Sequence, residues 1–247
     1  MVSFAAEPII RLGFFSITNS LLDALLVDAI LVGLILMLRK RLSLMPGKFQ
    51  VIIETVIQEF YNITYSVAGE NAPKIFPYFM SFFIFILFAN WSGLIPGVSA
   101  VGLKEHGQIV PFFRAATSDF NVTLGLSILS VLITHFLSLN KLGFKEYITR
   151  YFSLNPLNLY IGLLELIGEF TKIISLSFRL FGNIFAGEVV IGTISAMFAL
   201  LLPLPFLLLE VIVGLVQALV FAMLTMAFMA VLMTPHAEEV KEEVIES

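Results

Sequence analysis

The chain reads as an all-α, polytopic membrane protein with five passages, and three observations carry that reading. Of its 247 residues 59% are hydrophobic and 13% charged, with a mean hydropathy of +0.99, far outside the range of soluble domains. Apolar runs centre on 21–38, 75–95, 120–139, 157–202 and 204–234, each long enough to cross a hydrocarbon core roughly 30 Å thick. The runs lack the alternation of barrel strands, so helices, which satisfy their own backbone in lipid, are the elements left. Residues 1–247 are expected to form a single integral membrane domain.

The N-terminal MVSFAAEPIIRLGFFSITNS lacks the basic-then-apolar pattern of a cleaved signal and is expected to stay in the mature protein. The first span, 21–38, ends at Arg39, Lys40 and Arg41. An amphipathic helix is expected over about 48–66: Phe49, Ile52, Ile53, Val56, Ile57, Phe60, Ile63 and Thr64 recur at helical spacing, with Lys48, Glu54, Gln58, Glu59 and Asn62 opposite. It is too polar to cross and should lie on the bilayer surface. The second span, 75–95, carries the lone Trp91, which suits an interfacial belt.

Asp119 and Asn121 open the third span, 120–139. Two readings stay open there: an N-terminal helix cap, or the lining of an aqueous vestibule. Asp23 and Asp28 on the first span pose the same question. The run from 157 to 202 is more than twice the length an upright span needs at about 1.5 Å per residue. No proline interrupts it, and Pro203 and Pro205 mark a reversal. Two long, strongly tilted helices forming a hairpin are expected from this pattern. The acidic tail, 236–247, reads as a solvated end.

Lys and Arg collect in short cytoplasmic loops. Arg39, Lys40, Arg41, Lys48, Lys74, Lys141, Lys145 and Arg150 fall on one side, against Arg11, Lys104 and Arg114 on the other. The N-terminus is therefore expected outside and the C-terminus inside. Several function classes are excluded. There is no cysteine, hence no disulfide or thiolate chemistry. His106, His135 and His236 have no metal-ligand spacing. Neither a phosphate-binding glycine loop nor a dinucleotide fingerprint occurs, and nothing suggests nucleic-acid binding. No cofactor or metal is expected.

Arg179 is the most informative residue. It sits inside SLSFRLFGNIFAGEVVIGTISAMFALLLP, and a cation at the centre of a membrane helix costs roughly 2.5–3.5 kcal/mol on insertion scales, so it normally faces a partner or a wet cavity. At about 100° per residue, Ser175 and Asn183 fall on either side of it. Lys172 is nearly eclipsed with it, and Glu165 shares the same broad face. Glu169 lies at the margin of this stripe, and Glu188 points to nearly the opposite side. On the next helix Glu210 and Gln217 share a face with Gly214 between them. Glu188 and Glu210 have no cation adjacent in sequence, which favours a water-filled path or proton relay over packing. Lys172 suits pairing with Glu165 or Glu169, and Gln217 suits interhelical hydrogen bonding.

The stretch Ser175-Leu-Ser-Phe-Arg179-Leu-Phe-Gly-Asn183-Ile-Phe-Ala-Gly-Glu188 resembles subunit a of F-type ATP synthases, the membrane stator beside the rotating c-ring. Asp119-x-Asn121-x-Thr, Pro156 and Asn158, Glu165 and Lys172, and Glu210 seven residues before Gln217 follow the same order. The resemblance implies two offset half-channels for protons, or for sodium ions, with Arg179 as an electrostatic gate opposite the ring carboxylate. It implies an access path containing Glu188 and Glu210, polar neighbours of the arginine in Asn183 and Gln217, and contact of the 48–66 helix with the peripheral-stalk b subunits. Nucleotide sites would lie on other subunits, and a bacterial plasma membrane would be the location. Two other readings compete: a secondary transporter whose arginine binds an anion, which should show paired repeats, and a membrane scaffold whose polar stripe only glues helices.

Overall fold

A computed structural model describes residues 8–12, 15–41, 47–95, 102–105, 108–111, 114–151, 156–197 and 202–234. Seven helices follow in order: α1 (Asn19–Arg41), α2 (Lys48–Ala68), α3 (Ala72–Ser92), α4 (Phe120–Leu142), α5 (Phe144–Tyr151), α6 (Pro156–Met197) and α7 (Pro203–Leu232). Five helical stretches are long and apolar enough to span a membrane, with α2 and α3 counted as one. The all-α class and the number of candidate spans agree with the expectation. Two short antiparallel hairpins, β1 (Pro8–Leu12) with β2 (Phe15–Thr18) and β3 (Gly102–Glu105) with β4 (Gln108–Pro111), were not foreseen. Strands of four or five residues are too short to register as periodicity. The acidic tail lies outside the described residues.

The core is built by α3 and α7. Ile75, Phe79, Phe82, Phe83 and Ile86 of α3 interlock with Phe221, Ala222, Met226 and Met229 of α7, and the Phe82 and Phe221 rings meet at 5.8 Å. Helix α2 stops where Gly69 takes a φ of +52°, a conformation that costs glycine little. After one 3-10 turn, Pro73 in the first turn of α3 starts the next helix. Only the C-terminal half of α2 is anchored, through Thr64, Ala68 and the Phe60 ring, which sits 5.1 Å from Phe83. Phe49, Ile52, Val56, Ile57 and Ile63 of its apolar face remain exposed.

Helix α1 presents one narrow seam, Ser20, Asp23, Val27 and Leu31, and exposes most of its other side chains. Helix α4 joins the bundle through hydroxyls. Thr123, Ser127, Ser130, Thr134 and Ser138 recur every three or four residues and are buried. Thr123 meets Ser177 of α6, Ser130 meets Thr225 of α7, and Ser138 donates to the Leu232 carbonyl. In lipid, where apolar burial gives helices little reason to associate, such bonds and close packing supply the attraction.

Helices α6 and α7 pack against each other. Contacts Gly187 to Glu210, Asn183 to Gln217 and Lys172 to Phe228 step apart in opposite directions along the two helices, so they run antiparallel. With 42 residues, α6 is roughly 63 Å long. Near its start, Gly162 lets the Tyr151 carbonyl of α5 approach so closely that any Cβ there would overlap it.

Candidate functional site

Leu176, Ser177, Leu180, Phe181 and Ile184 turn one side of α6 into the bundle. Arg179 stands on the other side, exposed between the exposed Phe178 and Ile174. Its Nη2 donates to Ser175 Oγ at 3.2 Å, and among the described residues it makes no ion pair. Leu208, Leu209, Ile212, Leu215 and Val216 of α7 are exposed as well. The guanidinium is thus a cation on a largely apolar helix surface.

One turn further along α6, Asn183 Nδ2 donates to Gln217 Oε1 at 2.6 Å. Gln217 is buried, and its Nε2 finds no acceptor among the described residues. Glu210, also buried, lays its carboxyl against Gly187, beside Glu188, and its Oε1 has no partner either. Glu188 has no cation adjacent in sequence, but one reaches it in space. Arg114 Nε donates to Glu188 Oε2 at 3.2 Å, and the two side chains are 10% and 22% exposed. Arg114 lies 74 residues earlier, so sequence adjacency could not find it.

The neighbouring helix ends are clasped around this group. Asn90 of α3 donates to the Gly214 carbonyl at 2.8 Å and accepts from Thr117 at 2.7 Å, while Trp91 donates to the Val211 carbonyl. At Gly214 a methyl would press on the Asn90 Cβ at 3.2 Å. Asp23 Oδ2 accepts from Ser92 Oγ at 2.7 Å and from the Ala116 amide at 3.0 Å. Asp119 caps α4, accepting from the Asn121 amide at 2.9 Å and from its side-chain Nδ2 at 3.2 Å. The capping geometry is therefore present at Asp119 and Asn121.

At the other end of α6, Glu165 Oε1 accepts from Arg150 Nε at 2.7 Å, and Lys172 Nζ donates to Glu169 Oε1 at 2.7 Å. Lys172 also lies 4.7 Å above the Phe228 ring. Glu169 Oε2 faces His135 Nε2 at 3.6 Å, and His135 Nδ1 meets the Tyr147 hydroxyl at 2.9 Å. On α5, burial pushes the hydroxyls of Tyr147 and Tyr151 above the usual tyrosine range, so both stay protonated at neutral pH. The ten sequence-selected residues thus fall into three groups. Arg179 and Ser175 occupy the open face. Glu188, Glu210, Asn183 and Gln217 gather nearer the C-terminal end of α6, while Asp119 and Asn121 cap α4 beside the Ala116–Ser118 turn that packs on α6. Glu165 and Lys172, in the first half of α6, are ion-paired to Arg150 and to Glu169 respectively. Asn90, a lone amide in an apolar run, was a legible signal that went unused.

A family model described as "ATP synthase A chain" matches residues 21–230. The chain is also similar to ATP synthase subunit a of Moorella thermoacetica, 30% identical over 222 residues, covering 90% of this chain and 94% of that protein.

Proposed function

Because the chain belongs to the ATP synthase A chain family, a stator subunit of the proton-translocating membrane sector, we propose that it forms two offset half-channels with Arg179 as the gate between them. It is a multi-pass membrane protein that works with other subunits of that sector, among them the c-ring, and the synthase's nucleotide chemistry is not its own. The observation that carries the gate is the exposed guanidinium on the apolar side of α6, with no carboxylate among the described residues paired to it. A scaffold would satisfy that charge internally. A charge left open toward lipid is instead suited to acidic groups passing on a neighbouring rotor.

Electrostatics give the gate its strength. A guanidinium about 4 Å from a carboxylate supplies on the order of 4 kcal/mol at an effective dielectric near 20, about a thousandfold in proton affinity. A ring carboxyl that is protonated in lipid therefore gives up its proton as it meets Arg179. Arginine holds its own proton, so it neither shuttles nor leaks. Each elementary charge crossing the membrane gains about 2.3 kcal/mol per 100 mV, and the offset inlets convert that into rotation.

Glu188, Glu210, Asn183 and Gln217 line the outer inlet, with Asp119 and Asn121 at its edge. Glu165 and Lys172 belong to the inner side. The exposed apolar face of α2 lies on the bilayer surface and meets the peripheral-stalk b subunits. Basic loops put the N-terminus outside and the C-terminus inside a bacterial plasma membrane. The transported ion is the proton, or sodium where the ring's own site selects it. The test is Arg179→Ala in the assembled synthase, reconstituted in vesicles. Assembly is expected to persist while gradient-driven ATP synthesis falls to background; wild-type synthesis rates would overturn the gate.

A further inference from the structure

We propose that the inner inlet opens at a cleft between α4, α5 and α6, and that His135 and Glu169 carry protons between its water and the polar stripe leading to Arg179. This inference rests on the half-channel reading and locates one of its mouths. The cleft measures about 370 Å³ and is lined by Val131, His135, Tyr147, Tyr151, Leu166 and Glu169 among others. Water occupies about 30 Å³ per molecule and needs two to four polar partners to be held. An imidazole, a carboxylate and a phenolic hydroxyl at the wall meet that requirement.

The groups form a line. The Tyr147 hydroxyl meets His135 Nδ1 at 2.9 Å, and His135 Nε2 faces Glu169 Oε2 at 3.6 Å. The other carboxylate oxygen, Oε1, is held by Lys172 Nζ at 2.7 Å. Ser175, three residues beyond Lys172, accepts from Arg179. Glu169 is 7% exposed, and a carboxylate buried in a membrane helix between a lysine and a histidine is an expensive arrangement for packing alone. His135 and Lys172 face Glu169, and Glu165, which is bound to Arg150, lies near enough to His135 to act on its charge as well. Lys141, Lys145 and Arg150 cluster at this end, which places it inside by the positive-inside rule.

The transfer is balanced as follows. A proton arriving from the ring side binds the Glu169 carboxylate. It passes to His135 Nε2, and the imidazole releases its Nδ1 proton to cleft water beside Tyr147. One proton enters and one leaves, and the imidazole tautomers re-equilibrate through that water. Histidine suits the step because its two nitrogens can take and give on opposite sides. Lys172 stays a fixed partner and carries nothing.

The absence of cysteine makes this chain ready for single-cysteine probing. Val131→Cys and Leu166→Cys, each in the assembled synthase in sealed vesicles of either orientation, would be exposed to a membrane-impermeant methanethiosulfonate reagent. At least tenfold faster reaction from the inner face, with inhibition of ATP-driven proton pumping, is expected. Glu169→Gln and His135→Gln should each lower pumping at least fivefold and change its pH profile, while Glu169→Asp should recover part of the rate. Arg179→Ala in the same vesicles separates the two readings. If it pumps normally, the half-channel reading itself fails. If it does not pump, yet Val131→Cys and Leu166→Cys are unreactive from inside, or both Gln variants pump at the wild-type rate at every pH, the inlet lies elsewhere. Should a Gln variant fail to assemble, the labelling alone decides.

Discussion

The Glu210 carboxyl lies so close against the backbone of Gly187 that a methyl group at position 187 would overlap it. The glycine is thus a spatial requirement of the carboxyl on the facing helix. Neither backbone can retreat easily, because Asn183 and Gln217 tie the same two helices together just below.

Gly187→Ala should therefore displace the Glu210 carboxyl, which can swing aside on its flexible side chain at little cost in stability, with at least a fivefold fall in ATP-driven proton pumping. Shortening the partner should relieve the overlap, so Gly187→Ala with Glu210→Asp is expected to pump faster than Gly187→Ala alone. Pumping in inverted vesicles measures both, and equal rates for the single and double variants would contradict the packing argument.

The bond between Asn183 and Gln217 permits a separate measurement. Interhelical hydrogen bonds in membranes average about 0.6 kcal/mol, with a maximum near 1.7. A double-mutant cycle with Asn183→Ala and Gln217→Ala should give a coupling within that range, read from detergent unfolding of the complex. A coupling of zero would mean that the two amides act independently.

The spans were legible because lipid-spanning segments must be long and apolar, whereas the eight-residue α5 was not foreseen. The stripe on α6 was legible because helical spacing fixes which side chains share a face. Contacts between distant segments were not. Arg114 reaches Glu188, Arg150 reaches Glu165, and His135 of α4 reaches Glu169 of α6, and no local pattern encodes such pairings. The hydroxyl ladder of α4 was visible as Thr and Ser at intervals of three and four, but its partners Ser177 and Thr225 emerge only from packing. The hairpins β1–β2 and β3–β4 were missed because four or five residues carry too little periodicity.

Asp23 is a clasp that can be tested directly. One carboxylate oxygen holds both the Ser92 hydroxyl and the Ala116 amide, joining α1 to α3 and to the turn before α4. Asp23→Ala would strand a buried N–H, at a cost of about 1–3 kcal/mol. Asp23→Asn keeps an oxygen acceptor and should lose less. Thermal unfolding of the purified complex should rank wild type above Asp23→Asn and Asp23→Ala lowest; an Ala variant as stable as wild type would rule out the clasp.

On the proposed half-channel reading, the contact between Arg114 and Glu188 would join a structural role to one in transport. The pair is mostly shielded, at 10% and 22% side-chain exposure, and removing one partner leaves the other charge poorly compensated. Arg114→Gln should thus slow proton entry by at least threefold at acid outside pH, with the loss shrinking as the outside pH rises, because a carboxylate without its cation binds a proton more tightly and releases it more slowly. Arg114→Lys keeps the charge but loses the fork geometry of guanidinium, and should fall between wild type and Arg114→Gln. If Arg114 only braced the loop, the Gln and Lys variants would lower assembly without altering the pH dependence of transport per assembled complex. Proton flux normalised to assembled synthase across outside pH separates the two outcomes.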